Sequence, residues 1–81
     1  MIDLEIYPGT TARALPSHRT YKVILQANPN NSGTIRVGGA GSQSVRLQAG
    51  WDYTYEDVKN SSEIYVRAEN TTDKVAVHIY D

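Results

Sequence analysis

Residues 64–80, Ile64-Tyr65-Val66-Arg67-Ala68-Glu69-Asn70-Thr71-Thr72-Asp73-Lys74-Val75-Ala76-Val77-His78-Ile79-Tyr80, decide the fold class. Apolar side chains occupy every second position in two runs. Ile64, Val66 and Ala68 alternate with Tyr65, Arg67 and Glu69, and Val75, Val77 and Ile79 alternate with Ala76, His78 and Tyr80. A period of two puts each set on its own face of a strand; a helix needs 3.6. Between the runs, Glu69-Asn70-Thr71-Thr72-Asp73 carries side chains that bond nearby backbone, and it reads as a turn.

The same alternation extends outward through the chain. Tyr21, Val23, Leu25 and Ala27 share one face of a strand, with Lys22 and Gln26 on the other. Trp51, Tyr53 and Tyr55 alternate with Asp52, Thr54 and Glu56, and Ile2, Leu4 and Ile6 alternate with Asp3, Glu5 and Tyr7. Breaks fall at Pro8-Gly9, Asn28-Pro29-Asn30-Asn31-Ser32-Gly33, Gly38-Gly39-Ala40-Gly41-Ser42, Ala49-Gly50 and Lys59-Asn60-Ser61-Ser62. Strands are expected at about 2–7, 11–15, 20–27, 33–37, 44–48, 51–56, 63–68 and 74–80. Short strands at this spacing predict an all-β fold: a small antiparallel β-sandwich or jelly-roll-like barrel of seven or eight strands. One helical turn is allowed for at Glu56-Asp57-Val58-Lys59. Residues 1–81 read as a single domain, with residues 1–10 as either an N-terminal arm or an edge strand. Asp3 and Glu5 suit an edge, because charge discourages further pairing; Pro8-Gly9 suits a hinge.

Composition narrows the function classes. Thirteen residues are Ile or Val, six are Tyr and none is Phe, the usage of a pleated, half-buried surface. A chain of 81 residues buries only about 60–65% of its unfolded surface, so a partner subunit is expected to support its core. With no cysteine, disulfides and thiolate metal sites are excluded. Eight Lys and Arg against nine Asp and Glu give a net charge of −1, which argues against a nucleic-acid partner held by charge. No apolar run approaches the roughly 20 residues of a membrane span. Met1-Ile2-Asp3-Leu4-Glu5 has neither the basic nor the apolar region of a signal peptide.

Little of the sequence carries chemistry. His18 reads as a loop residue and His78 as an outward strand residue, and no nucleophile elbow is present. Asp52, Glu56 and Asp57 make a weak calcium candidate, and an acidic strand end explains them better. Gly38-Gly39-Ala40-Gly41-Ser42 has the glycine of a phosphate loop without its helix or lysine, so it reads as a hairpin loop. No catalytic, cofactor-binding or metal-ligating set is therefore assigned, and the chain reads as no enzyme. The aromatic stripe Trp51, Tyr53, Tyr55 supplies core bulk, a protein interface or a ligand stack, in that order of expectation. Tyr7, Tyr65 and Tyr80 are expected to point outward and form a contact patch, joined by the Ile2, Leu4, Ile6 stripe as candidate interface residues. Lys22, Arg36, Arg46 and Arg67 share an outer sheet face if their strands are neighbours. Three Asn-x-Ser/Thr triplets, at Asn30, Asn60 and Asn70, lie in turns and read as turn chemistry.

Residues 15–80 resemble a class of small tailed-bacteriophage virion proteins and head-associated modules. The resemblance runs through Leu15-Pro16-Ser17-His18, Tyr21-Lys22-Val23-Ile24-Leu25-Gln26-Ala27, Asn31-Ser32-Gly33-Thr34-Ile35-Arg36-Val37-Gly38 and Val45-Arg46-Leu47-Gln48-Ala49-Gly50. It continues through Trp51-Asp52-Tyr53-Thr54-Tyr55, Ser62-Glu63-Ile64-Tyr65-Val66-Arg67-Ala68 and Val75-Ala76-Val77-His78-Ile79-Tyr80. What it implies is a β-sandwich or jelly-roll module with a structural role in the virion: capsid decoration or cement, head fibre or adhesin appendage. It implies no catalytic residues and no cofactor. Longer members carry fibre segments that this chain lacks, which favours a decoration subunit on the capsid exterior, assembled in the host bacterial cytoplasm. The implied partners are the major capsid protein and further copies of the chain, with a homotrimer favoured. The Asn31-Ser32-Gly33 and Ala49-Gly50 turns would be scaffold positions where glycine supplies unusual backbone angles. The alternative is a receptor- or carbohydrate-binding module of a phage fibre or head appendage, with Trp51, Tyr53 and Tyr55 as the stack.

Overall fold

The computed structural model describes residues 1–81. Its strands are β1 (Ile2–Ile6), β2 (Arg13–Ala14), β3 (Lys22–Ala27), β4 (Ile35–Gly39), β5 (Ser42–Leu47), β6 (Asp52–Glu56), β7 (Tyr65–Ala68) and β8 (Val75–Tyr80). A 3-10 turn, Ser61–Glu63, precedes β7. Four of the six strand pairings follow one rule: β4 with β5, β3 with β6, β2 with β7, β1 with β8, all antiparallel. The chain is thus one long two-stranded ribbon bent at Ala40-Gly41. Its apolar face is too large to leave in water, and rolling the ribbon buries it. Rolling creates the other two pairings, β3 with β8 and β4 with β7. Two four-stranded sheets result, β1-β8-β3-β6 and β2-β7-β4-β5. That order is a jelly roll, two Greek keys closed into a sandwich.

The core lies between the sheets. Val23, Leu25, Ala27, Val75, Val77 and Ile79 face it from the first sheet, and Ile35, Val37, Leu47, Val66 and Ala68 from the second. Leu15 and Ile64 close one end, tied by the Leu15 N–H donating to the Ile64 carbonyl at 3.0 Å. The period-two pattern that predicts the strands therefore also marks the core, because alternation is strongest where one face is buried.

Local differences from the sequence reading have physical causes. The strand expected at 11–15 shrinks to Arg13–Ala14, since Pro16 lacks the N–H to continue a ladder. The glycine-rich segment is a tight hairpin: β4 runs to Gly39, β5 starts at Ser42, and Gln43 Nε2 donates back to the Gly39 carbonyl at 2.8 Å. No helical turn forms at 56–59, where Asp57 adopts φ +61°. The turn lies at Ser61–Glu63 instead, opened by Asn60 in a capping box with Glu63. Gly50 has the left-handed backbone anticipated for its turn, φ +84°. Gly33 does not; a Cβ there would lie 2.7 Å from Asn70 Nδ2 and 3.1 Å from Asp73 Oδ2, so the Asn70 side chain would have to shift.

β1 lies in its own chain's sheet as an edge strand. Ile2, Leu4 and Ile6 stand opposite Ile79, Val77 and Val75 and pack against the core, half-buried. Their inner sides pack against the chain's own interior, and part of each side chain stays exposed. The outward tyrosines do not form one patch. Tyr65 lies on the second sheet, opposite Gly38, while Tyr80 ends β8 in the first. Tyr7, 57% exposed, stands beside Lys74 at the other end of β8, about 20 Å along the strand from Tyr80. Alternation turns each residue outward, but strand order separates them.

Candidate functional site

The surface with the chemistry of recognition is the β6 edge. β6 pairs with β3 on one side only, so its other edge offers unpaired backbone groups. The Gly50 turn positions the chain as it enters β6. Gly50 N–H donates to the Ala27 carbonyl at 3.0 Å, and Ala27 N–H donates to the Trp51 carbonyl at 2.9 Å. Tyr53 stands opposite Leu25 and Tyr55 opposite Val23, on the core side of the sheet. The sandwich ends there, so that face is incompletely covered. Trp51 is 54% and Tyr53 39% exposed, which corrects the expectation of core bulk for both. Tyr55 alone meets it: half-buried, it packs against the core. The Tyr53 and Tyr55 rings meet edge to face, centroids 4.9 Å apart. Burial, and then the neighbouring Tyr53, raise the Tyr55 hydroxyl above its ordinary pKa. The outer face of the same strand carries Asp52 opposite Gln26 and Glu56 opposite Lys22, both acids exposed. Asp52 and Glu56 are four positions apart along an extended strand, about 13 Å, too far to share one cation.

A second charged surface lies on the other sheet. Arg46, Arg36 and Arg67 stand directly opposite one another across β5, β4 and β7. Lys22 does not join them, because β3 belongs to the first sheet, where its ammonium lies 4.8 Å from the Tyr80 ring centroid. Arg67 Nε donates to Gln43 Oε1 at 3.1 Å. Arg36 Nε is buried without a hydrogen-bond partner. Glu69 lies beside the row, accepting from the Thr34 N–H at 2.7 Å and from the Thr34 hydroxyl. Those two bonds outweigh the upward push of desolvation and hold its carboxyl below the ordinary range, and Arg36 and Arg46 add smaller pulls in the same direction.

Elsewhere the polar groups are structural. His78 Nδ1 lies 2.6 Å from Asp3 Oδ1, a cross-strand pair between β8 and β1. His18 lies in the loop before β3, where its N–H donates to Ser61 Oγ at 3.0 Å. The Asn60 and Asn70 triplets supply a helical cap and a side-chain bond to Ser32. Two shallow depressions exist, one along Asn31–Thr34 beside Glu69 and one at Tyr21, Lys22, Glu56 and Asp57, each with a single hydrophobic lining residue. Neither has the apolar walls of a small-molecule pocket. Sequence reading missed Asp73, a buried carboxylate whose turn position gave no sign of burial. It also missed the Asn60-to-Glu63 capping box, whose spacing was visible. Comparison with protein-family models, curated proteins and solved structures finds no match to this chain.

Proposed function

We propose that this chain is a non-enzymatic structural protein of a bacteriophage particle, a capsid decoration or cement subunit that acts through its surfaces. The observation that carries the reading is the β6 edge, paired on one side only, with Tyr53 and, just before the strand, Trp51 presented to solvent. Trp and Tyr dominate interface hot spots, because each offers a large contact area with few rotamers to freeze. The jelly roll adds support by analogy alone, since the architecture recurs in viral capsid and lectin domains. On this reading the partner is the major capsid protein, the location is the capsid exterior, and a trimer multiplies weak contacts into avidity. Co-sedimentation with purified expanded capsids tests it. Binding that Trp51→Ala weakens at least about tenfold, the loss of a hot spot, supports the reading; a chain that never sediments with capsids removes it.

The same exposed pair favours a second reading, a receptor- or carbohydrate-binding module. Aromatic faces stack on the apolar faces of sugars, and no deep pocket is needed for that. Tryptophan fluorescence separates the two, because Trp51 is the single tryptophan. Emission that shifts with oligosaccharides and not with capsids selects the binding module. The reverse selects decoration.

A further inference from the structure

The two sheets are oppositely charged. The strands of β2-β7-β4-β5 contain Arg13, Arg36, Arg46 and Arg67 and no acid. The strands of β1-β8-β3-β6 contain Asp3, Glu5, Asp52 and Glu56 against one lysine, Lys22. A chain of net charge −1 is therefore polarised across its sandwich.

On the basic side, like charges directly opposite one another destabilise a sheet, yet Arg46, Arg36 and Arg67 stand in one row. The structure's three ion pairs involve Met1, Lys74 and His78, and no arginine. The buried Arg36 Nε has no partner either. Glu69 lies beside the row, one carboxylate against three guanidinium groups, and leaves charge for an anion from outside the chain.

On the acidic side, Asp3 is engaged by His78 and Glu5 by Lys74 at 3.3 Å. Asp52 and Glu56 on β6 have no ion-pair partner. The outermost arginines are two strand spacings apart, roughly 10 Å, and the two acids are about 13 Å apart. Arginine side chains are long enough to bridge the difference.

We propose that the Arg46–Arg36–Arg67 row of one copy docks on the Asp52/Glu56 edge of the next, joining copies of this chain head to tail. The proposal deepens the assembly reading above and rests on it for its setting. The contact is heterologous: each copy keeps one used and one free surface, so copies close into a ring or extend as a filament. A closed ring of three satisfies both surfaces of every copy.

The test is sedimentation equilibrium of the purified chain with charge reversals at exposed positions. Arg46→Glu and the double variant Asp52→Lys/Glu56→Lys should each raise the dissociation constant at least about tenfold, the effect of losing one close charge pair. Mixing the two variants should restore one junction per pair, because the intact arginine row of the acidic double variant meets the intact Asp52/Glu56 edge of the Arg46→Glu chain. Raising salt from about 0.1 M to 1 M shortens the screening length from roughly 10 Å to 3 Å, and should loosen the wild-type assembly. A chain that stays monomeric at every concentration overturns the proposal. So does association indifferent to Arg46→Glu, or loss with Arg46→Glu and none with the acidic double variant, which would assign the row to a foreign anion such as a polyphosphate backbone. Unchanged thermal midpoints of the dilute variants establish that the fold survives each reversal; if one fails to fold, the neutral changes Arg46→Gln and Asp52→Asn/Glu56→Gln replace it, with the same direction expected. A monomer that still binds capsids removes this contact and leaves the decoration reading standing. Self-association without capsid binding does the reverse.

Discussion

Asp73 is the residue whose loss the structure prices most directly. It is 2% exposed, in the turn between β7 and β8, and its carboxylate reaches across to the turn between β3 and β4. Oδ1 accepts from Ser32 N–H at 3.0 Å, and Oδ2 accepts from Gly33 N–H at 2.9 Å and Asn70 Nδ2 at 3.3 Å. Asn31 strengthens the clasp, exchanging bonds of 2.8 and 2.9 Å with the Lys74 backbone. Asp73→Ala leaves two backbone donors without acceptors. A hydrogen bond to a charged group is worth about 1.5–3 kcal/mol, and water re-solvates the exposed Ser32 in part, so the expected cost is about 3 kcal/mol. In a domain of this size that lowers the thermal midpoint by roughly 12–24 °C. Asp73→Asn should recover less than half of the loss. Either orientation of the amide turns an NH2 toward a backbone N–H, where a second acceptor is required.

The loss should also depend on pH. Burial pushes the Asp73 carboxyl up, but the bonds from Ser32, Gly33 and Asn70 outweigh it, and the folded pKa lies below its ordinary value. The charged form is therefore favoured in the folded state. Its contribution is complete above the unfolded pKa, about 3.9, and is lost as pH falls through the lowered folded pKa. The gap between wild type and Asp73→Ala should be widest near neutrality and narrow below about pH 3.9. Denaturant unfolding across pH measures both effects. A gap under about 1 kcal/mol at pH 7 would refute the two-acceptor argument, as would an Asp73→Asn variant as stable as wild type.

Two further substitutions probe the backbone. Gly38→Ala places a Cβ 2.3 Å from the Ser42 carbonyl oxygen and 2.9 Å from Gln43 Cα, so the β4–β5 hairpin must shift. The expected cost is about 3 kcal/mol, while Gly41→Ala, with open space around it, should stay within about 0.5 kcal/mol; chemical denaturation compares them. Ser61 is fully buried, donates to the Pro16 carbonyl and accepts from His18 N–H at 3.0 Å. Ser61→Ala should cost about 1–3 kcal/mol, and hydrogen exchange at His18 should accelerate.

The strands were legible because alternation and burial coincide. In β8, Val75, Val77 and Ile79 are fully buried, as the pattern requires of a strand covered on one face. The sheet order was not legible, since any antiparallel sandwich satisfies the same pattern. That omission governs the site. Trp51 and Tyr53 read as core because they form an alternating aromatic stripe in a small chain without Phe, and Tyr53 does stand opposite the buried Leu25. Only the position of β6 at an edge exposes them. Likewise Arg36, Arg46 and Arg67 form a row through pairings invisible along the chain, and Lys22 is excluded from it for the same reason. Asp73 escaped because buried carboxylates are rare outside paired sites, and its partners are backbone groups 40 and 41 residues away.

Small size raises the expectation that a second copy completes the core, and the structure argues against it. The accessible surface is 4604 Å² for a 9.0 kDa chain, against about 4,850 Å² for a self-sufficient monomer of that mass. All 13 core residues are at most 3% exposed within one chain. Association through the arginine row then adds stability to a fold already closed, and the two accounts diverge on dilution. If a partner completes the core, the thermal midpoint falls continuously with dilution, and Arg46→Glu unfolds the chain outright. If the core is self-sufficient, the midpoint reaches a floor once copies separate, and Arg46→Glu stays on that floor up to concentrations at least about tenfold higher than the wild type does. A partner at 100 times its dissociation constant adds about 2.7 kcal/mol, which places the associated wild type roughly 11–22 °C above the floor. Calorimetry over a range of concentrations reads the difference. An Arg46→Glu chain that unfolds well below the diluted wild type would return the missing stability to the interface, and with it the view that this domain cannot stand alone.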